Sequence, residues 1–266
     1  MKAITLQEFV AFQRLMHESA GIYLSENKRS LVTGRRARRL HACGAQSYGE
    51  YYRLLTSGQL PAELQTAVDL LTTNETFFFR EPKHFEFLRA QVEARHRAGG
   101  AFRVWSAATS SGEEAFSIAM VLEEMLPGRW WVVGSDISAR MLAKARDARY
   151  AMDRLSNFPH RYLRRFCLKG VGARSGLLRV EWPLRERVEF RRINLNQPLP
   201  PIGTFDMVFL RNVLIYFNAD TKREVVMRVA AALKPGGHLL IGHSETLSGI
   251  TDALEPLAPA VYRKPA

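Results

Sequence analysis

The stretch FRVWSAATSSGEEAFSIAM, residues 102–120, decides the fold of this 266-residue chain. Its first seven residues are mostly apolar and predict a buried strand, and a turn of small residues leads from them into a helix that begins near Gly112. The same alternation returns later, with strands predicted at 130–136, 205–210 and 238–242 and helices at 138–150 and 220–233. Strands and helices in this order indicate parallel pairing with right-handed crossovers. We therefore predict an α/β fold built on a doubly wound open sheet.

The chain divides into three parts. Residues 1–72 carry apolar residues at helical spacing between glycines and predict an all-helical domain. Residues 73–100 form a linker that we also expect to contribute to the active site, and residues 101–266 form the α/β domain. Within that domain, residues 151–192 break the alternation and are rich in glycine, which predicts a small antiparallel β insert. An alternative for the helical domain is that it merely covers the α/β domain.

The composition is that of a globular protein. Hydrophobic residues make up 47% of the chain, and no apolar stretch approaches the roughly 18 residues needed to cross a bilayer. The segment after Met1 lacks an apolar leader, which predicts a cytoplasmic protein without membrane insertion. The two cysteines, Cys43 and Cys167, do not have the spacing of metal ligands, and we expect no metal site.

The chain is strongly basic. Its 38 Lys and Arg residues exceed its 26 Asp and Glu residues by 12. A field of this sign attracts nucleic acid, anionic lipid or an acidic protein surface. Basic side chains crowd together between residues 28 and 39, and ten more lie within residues 161–192. Each run, taken alone, is equally consistent with a solvated surface that only increases solubility.

The turns after the predicted strands should carry the chemistry, because ligands of an open parallel sheet bind at the carboxyl ends of its strands. Asp136 ends the second strand, and a carboxylate there can accept hydrogen bonds from two ribose hydroxyls. The turn before Gly112 lacks the glycines of a dinucleotide-binding loop, and Glu113 and Glu114 would repel phosphate. S-adenosylmethionine, a cationic nucleoside without phosphate, fits this turn. The alternative is an ordinary helix start with acidic residues in its first turn.

Six ordered blocks give the chain a resemblance to a known family. They are TTNETFFFRE (72–81), RVWSAATSSGEEAFSIAM (103–120), SDIS (135–138), FLRNVLIYF (209–217), LKPGG (233–237) and GHSE (242–245). From about residue 1 to 263, the chain resembles the bacterial chemotaxis receptor methyltransferases, the CheR family. The resemblance implies a class I, Rossmann-like methyltransferase domain with an N-terminal helical domain and a small antiparallel insert. It also implies that S-adenosylmethionine is converted to S-adenosylhomocysteine while glutamates on cytoplasmic helices of chemoreceptors become methyl esters.

The resemblance assigns cofactor contacts to a defined set of positions in this sequence. They are Asn74, Thr76, Arg80, the pair Glu113 and Glu114, Asp136, Asn194, Leu195, Arg211 and Asn212. The spacing does not tell which glutamate of the pair takes the methionine amino group of the cofactor.

The reaction needs alignment more than base catalysis. A glutamate side chain, with a reference pKa of about 4.3, is already ionised at neutral pH and can attack a methyl group directly. We expect Arg80 to orient the incoming carboxylate or the cofactor, and Tyr216 to place its hydroxyl near the sulfonium. The alternatives are a surface salt bridge for Arg80 and an aromatic ring packed under the sheet for Tyr216. The run Phe77-Phe78-Phe79 either floors the active site or packs between the domains, and we favour the second.

Two segments are candidates for binding a partner. The cluster Arg35, Arg36, Arg38 and Arg39 would complement an acidic chemoreceptor helix, and the resemblance points to the same docking role. The loop 168–176 is similar to one that grips a C-terminal peptide tether of the receptor as an added strand, and the alternative is a solvent-exposed hairpin. We expect the chain to act as a monomer.

Three other functions share some of these features. A nucleic-acid methyltransferase would suit the basic charge, but the turn at residues 211–214 reads RNVL and lacks the two prolines that usually accompany adenine methylation. A dehydrogenase would need the glycines that the first turn lacks. A basic adaptor would bind cofactor and receptor without transferring a methyl group. We expect no nucleic-acid partner.

Overall fold

The computed structural model describes residues 4–72, 74–95, 100–155 and 158–266, and within these ranges it gives only the backbone of Asn27, Leu31, Arg35, Arg36, Ala37, Arg38 and Arg154. The helices are α1 (Leu6–Ala20), α2 (Arg29–Ala42), α3 (Tyr48–Thr56), α4 (Pro61–Leu71), α5 (Lys83–Arg95), α6 (Glu113–Met125), α7 (Ala139–Asp147), α8 (His160–Phe166), α9 (Trp182–Arg185) and α10 (Ala219–Ala231). The strands are β1 (Phe102–Ser106), β2 (Trp130–Asp136), β3 (Arg149–Ala151), β4 (Cys167–Lys169), β5 (Leu177–Val180), β6 (Val188–Arg192), β7 (Phe205–Leu210), β8 (Leu233–Ile241), β9 (Glu255–Ala258) and β10 (Val261–Arg263).

Helices α1 to α4 form an N-terminal domain with a core of its own. The side chain of Thr5 accepts the N–H of Glu8, and the Glu8 carboxylate accepts the N–H of Thr5, so a capping box starts α1. The helix ends at Gly21, whose φ of 71° is accessible to glycine without strain. The buried aromatic rings of Phe12 and Tyr51 lie in the shared core of the four helices. The prediction of an N-terminal all-helical domain is confirmed.

Seven strands form the main sheet in the order β6-β2-β1-β7-β8-β10-β9. The five strands from β6 to β8 pair in parallel. The strand β10 runs antiparallel to both of its neighbours. From β1 the chain builds outward to β6 on one side and then returns to build from β7 on the other. The direction of winding therefore reverses between β1 and β7, where folds of this kind open a crevice for ligands.

Helices cover both faces of this sheet. Helices α5 and α6 bury Leu88 and Phe116 in one core, and α10 buries Val225 and Val229 in the other. All six residues of β7 are buried, as expected for a central strand that is covered on both faces. The predicted α/β architecture is confirmed. Among the described residues, no helix is both long and apolar enough to span a bilayer.

Three boundaries differ clearly from those predicted. Strand β8 begins at Leu233 rather than at residue 238, so the segment 234–237 lies within the strand and not before it. Helix α7 ends at Asp147 rather than near residue 150, because Ala148 takes a φ of 54° and the chain then enters β3. The insert does contain a three-stranded antiparallel sheet, β3-β5-β4, but it ends before the predicted residue 192. Residues 188–192 are β6, which pairs in parallel with β2. Strand β6 is at the edge of the sheet, and most of its side chains are partly exposed. Its sequence VEFRR is therefore less apolar than that of a central strand, and the sequence analysis assigns it to the insert.

Gly112 fixes the turn between β1 and α6. Its φ is 96°, and a Cβ atom there would lie 2.8 Å from the Cβ of Ala145. We expect Gly112→Ala to lower the free energy of unfolding by about 2–5 kcal/mol, because left-handed strain costs roughly 1–2 kcal/mol and overpacking roughly 1–3 kcal/mol. Gly249→Ala is the matched control, since Gly249 also has positive φ but has open space around it. Urea unfolding followed by tryptophan fluorescence should give a clearly smaller loss for the control, and equal losses would contradict the packing argument.

Candidate active site

A cleft of about 1170 Å³, counting its open mouth, lies where β1, β2 and β7 end. One wall is built by the turns that follow these strands, and the opposite wall by the N-terminal domain and the segment 74–80. Of the predicted site residues outside the docking cluster, all except Glu113 line this cleft. They are Asn74, Thr76, Arg80, Glu114, Asp136, Asn194, Leu195, Arg211, Asn212 and Tyr216.

The turn after β1 is held against the end of β2. The backbone N–H of Thr109 donates to the carbonyl of Ser135, and the N–H of Ser110 donates to Asp136 Oδ2 at 2.8 Å. Ser110 has a φ of 51°, which is unusual for a residue with a side chain. Small residues in this turn leave its backbone open to the cleft, as the sequence predicted.

Asp136 is 8% exposed at the end of β2. Its Oδ1 accepts the N–H of Ser138 at 2.9 Å, so each carboxylate oxygen is fixed by one backbone donor. Burial raises the pKa of Asp136, and the N–H groups of Ser138 and Ser110 act against this rise. Each oxygen can accept a further hydrogen bond, and a pair of adjacent ribose hydroxyls matches this geometry.

The structure separates the two glutamates that the sequence left undecided. Glu114 lines the cleft, where its Oε1 accepts from Ser106 Oγ at 2.7 Å and its Oε2 from Arg211 Nη1 at 2.8 Å. Glu113 does not line the cleft, and its carboxylate accepts from Ser111 Oγ at 2.7 Å. Burial raises the pKa of Glu114, whereas the Arg211 guanidinium stabilises its ionised form.

Arg211 lies at the centre of a buried ionic network. Its guanidinium contacts Glu114 and also Glu81, at 3.0 Å, and it donates to the carbonyl of Arg80. Glu81 in turn accepts from the side-chain amide of Asn212 at 3.2 Å. Burial acts to raise the pKa of Glu81, but the Arg211 guanidinium and the hydrogen bonds from Asn212 and His243 together hold the pKa below its ordinary value. The sequence analysis did not identify Glu81, although it directly follows Arg80 in one of the quoted blocks.

The segment 74–80 presents Arg80 to the cleft. The Arg80 guanidinium donates to the carbonyl of Glu75 at 3.1 Å and lies over the ring of Phe77. Within the described part of the chain, no carboxylate lies within 4.0 Å of it, so a surface salt bridge does not account for this residue. Phe77 is partly exposed at the cleft, whereas Phe78 and Phe79 are buried in the core of the α/β domain rather than between the domains.

The N-terminal domain completes the cleft, which the sequence analysis did not foresee. The N–H of Tyr23 donates to the carbonyl of Tyr216 at 2.8 Å. The amide of Asn194 donates to the carbonyl of Ser19 at 2.8 Å. Ile22, Leu24 and Lys28 line the same wall. No local sequence signal marks these residues, because they reach the site only through the docking of one domain on the other.

The predicted docking cluster lies on α2. The side chains of Arg35, Arg36 and Arg38 lie outside the described residues. Arg39 donates from Nε to Glu63 Oε1 at 3.0 Å and from Nη2 to Glu63 Oε2. This two-point contact holds α2 against α4, a use of Arg39 that the basic pattern alone did not reveal.

The fold and the cleft together define a class of protein. A doubly wound sheet of this order, with an acidic residue ending β2 and acidic residues where a dinucleotide fold has a phosphate loop, is the arrangement of a nucleoside-binding class I methyltransferase. Residues 74–262 match the family described as CheR methyltransferase, SAM binding domain, and residues 7–72 match CheR methyltransferase, all-alpha domain. The chain therefore belongs to the CheR methyltransferase family. It is an S-adenosylmethionine-dependent methyltransferase.

Curated relatives match the chain over nearly its whole length. It is 42% identical over 265 residues to a chemotaxis protein methyltransferase of Escherichia coli (strain K12), and the matched region covers 98% of this chain and 91% of the relative. It is 40% identical over 264 residues to a chemotaxis protein methyltransferase of Salmonella typhimurium, with the same two coverages. It is 39% identical over 268 residues to chemotaxis protein methyltransferase 2 of Pseudomonas aeruginosa, and the matched region covers 97% of this chain and 93% of the relative.

Replacement of Asp136 tests the ribose assignment. We expect Asp136→Ala to raise the dissociation constant for S-adenosylhomocysteine roughly 10- to 100-fold, since hydrogen bonds to charged groups contribute about 1.5–3 kcal/mol each. Asp147→Ala, which removes a half-exposed carboxylate at the end of α7, is the control and should leave binding unchanged. Calorimetric titration measures both variants. An unaltered constant for Asp136→Ala would exclude the ribose role.

Proposed function

We propose that this protein transfers the methyl group of S-adenosylmethionine to side-chain carboxylates of glutamates on the cytoplasmic helices of chemoreceptors. The products are glutamate methyl esters and S-adenosylhomocysteine, and the esters adjust chemosensory signalling. The cleft is the observation that carries this proposal, because it combines the acidic groups Asp136 and Glu114 with the Arg80 guanidinium, which has no carboxylate partner among the described residues. The chemotaxis methyltransferases of similar sequence support the choice of receptor as substrate.

The cleft fits the cofactor by charge. Glu114 and Glu81 share one Arg211, so this trio keeps one formal negative charge beside the cleft. We assign the methionine amino group of the cofactor to Glu114, in preference to Glu113, and its ribose to Asp136. Asn74, Thr76, Asn194 and Leu195 supply the remaining polar and apolar contacts, and Arg211 and Asn212 close the site.

The chain's own residues contribute alignment. The bound cofactor supplies an electrophilic methyl group, and the substrate carboxylate needs no base because it is already ionised. Arg80 can hold one carboxylate oxygen while the other faces the methyl carbon, and Tyr216 at the cleft wall narrows the approach. Correct positioning of this kind contributes roughly 7–11 kcal/mol in favourable cases.

We further propose that α2, through Arg35, Arg36 and Arg38 of its basic cluster, docks the acidic receptor helix. The insert offers a second contact, the C-terminal peptide tether of the receptor. The edge strand β4 and the loop after it expose Leu168 and Val171, which supports addition of a peptide as an extra strand. We propose that the protein works as a monomer in the cytoplasm and does not act on nucleic acid.

The identity of the product tests the proposed function. Incubation with methyl-labelled S-adenosylmethionine and a chemoreceptor cytoplasmic fragment should label the fragment, and alkali should release the label as methanol. Carboxyl methyl esters hydrolyse in alkali, whereas methylated bases do not. The control is a fragment in which glutamine replaces its glutamates, which should take up no label. Label that resists alkali, or that enters nucleic acid, would contradict the proposal, and a lack of transfer would favour a binding adaptor.

Arg80 separates alignment from cofactor binding. We expect Arg80→Ala to lower kcat about 100-fold, the loss typical of misplaced reactants, while the dissociation constant for S-adenosylhomocysteine changes by less than about threefold. Arg80→Lys keeps the charge but not the planar fork and should recover only part of the turnover. Steady-state kinetics beside calorimetry give both numbers. Turnover at the wild-type level would remove Arg80 from the mechanism.

A further inference from the structure

The turn Gly242–Glu245, directly after β8, folds back on the loop after β7. The carboxylate of Glu245 accepts three backbone N–H groups. Its Oε2 accepts from Gly242 at 2.6 Å and from Asn212 at 3.0 Å, and its Oε1 accepts from Ile215 at 3.2 Å. Glu245 does not line the cleft, so its contacts are with the loop and not with the space for the cofactor.

The loop held by Glu245 is strained and carries the site. Asn212 has a φ of 56°, a conformation that costs a residue with a side chain free energy unless its surroundings impose it. The loop supplies Arg211, Asn212, Val213 and Tyr216 to the cleft wall. A backbone N–H fixed by a carboxylate is a strong restraint, because hydrogen bonds to charged groups are shorter and stronger than neutral ones.

Gly242 is needed for this close approach. A Cβ atom at Gly242 would lie 2.5 Å from Asn212 Nδ2 and 2.9 Å from Glu245 Oε2. Both the glycine and the glutamate of the GHSE block are therefore explained by one contact between two loops.

A second carboxylate holds the side chains of the same loop. Glu81 pairs with the guanidinium of Arg211 and accepts from the amide of Asn212. Glu245 thus fixes the backbone of Asn212, and Glu81 fixes its side chain. These two glutamates are far apart in the sequence. The two restraints together define a single orientation of the residue in the cleft.

We propose that Glu245 is a positioning residue of the methyl transfer, which holds Asn212 and the turn to Tyr216 in the conformation that receives the cofactor. This inference rests on the proposed function. It makes a specific claim about cofactor affinity, because Glu245 acts on the loop of the cofactor cleft and not on the proposed receptor-docking surfaces.

The test compares Glu245→Ala and Glu245→Gln with the wild type. We expect Glu245→Ala to weaken S-adenosylhomocysteine binding and raise the KM for S-adenosylmethionine about tenfold or more, with the KM for the receptor fragment within twofold of wild type. Glu245→Gln should lie between, because its amide oxygen can still accept from Gly242 and Asn212 while its NH2 group faces the N–H of Ile215. If Glu245→Gln recovers part of the cofactor affinity that Glu245→Ala loses, the hydrogen bonds of the side chain are responsible, and not a general loss of packing.

Two controls separate positioning from stability. Glu255→Ala removes an exposed carboxylate on β9 and should leave cofactor affinity unchanged. Val229→Ala truncates a fully buried side chain of α10 and should lower the melting temperature with affinity within twofold of wild type. Glu245→Ala with wild-type affinity, or equal losses of affinity in Val229→Ala, would overturn the inference while leaving the proposed function intact. A wild type that does not bind the cofactor product would overturn both.

Discussion

The site depends on the ion pairs and the hydrogen bond that the buried guanidinium of Arg211 makes. This guanidinium joins the loop after β7 to two segments that are distant in sequence, since it contacts Glu81 and the carbonyl of Arg80 within the linker and Glu114 in the first turn of α6. Loss of one partner from a buried ion pair typically costs about 3–5 kcal/mol, because the other charge is left without compensation. The network also contributes one formal negative charge beside the cleft. Two carboxylates around one guanidinium leave a negative charge that a cationic nucleoside can neutralise, and a dinucleotide cannot.

The same site concentrates backbone strain. Among the described residues, six other than glycine have positive φ, and four of them, Phe79, Glu81, Ser110 and Asn212, belong to segments around the cleft. Such conformations cost about 1–3 kcal/mol each and persist only where the surroundings impose them. In three of these four residues, the backbone N–H of the strained residue donates a hydrogen bond to a side-chain oxygen, which helps to impose the conformation. Ser117 serves Phe79, Asp136 serves Ser110 and Glu245 serves Asn212. Asp136 therefore has a structural duty besides its proposed contact with ribose.

The parts of the fold and site that could be predicted are those encoded locally. The alternation of apolar strands and amphipathic helices identified the sheet, and the position of Asp136 at the end of β2 marked the cleft without knowledge of any relative. The apolar pattern did not reveal the edge strand β6, because several of its side chains are partly exposed. Asn194, two residues after this strand, was identified through resemblance alone. The difference between Glu113 and Glu114 depends on the rotation of α6 about its axis, which spacing does not determine. The pairing of Arg39 with Glu63 is likewise a tertiary contact. The sequence shows only that Arg39 belongs to a basic cluster, and not which residue it contacts.

The helical domain supplies part of the lining of the cleft and does not merely cover the α/β domain. Its helix α1 ends against the α/β domain, where the carbonyls of His17 and Ser19 accept from Asn196 and Asn194. The two domains also pack closely at Gly21, where an added Cβ would lie 2.9 Å from Thr221. The chain then passes along the cleft at residues 22–24 and enters α2, the helix proposed to dock the substrate. The helix proposed to dock the receptor and the cleft are thus linked by a few residues of continuous, hydrogen-bonded backbone. Under the proposed function, this short link would bring a receptor helix that docks on α2 close to the cleft.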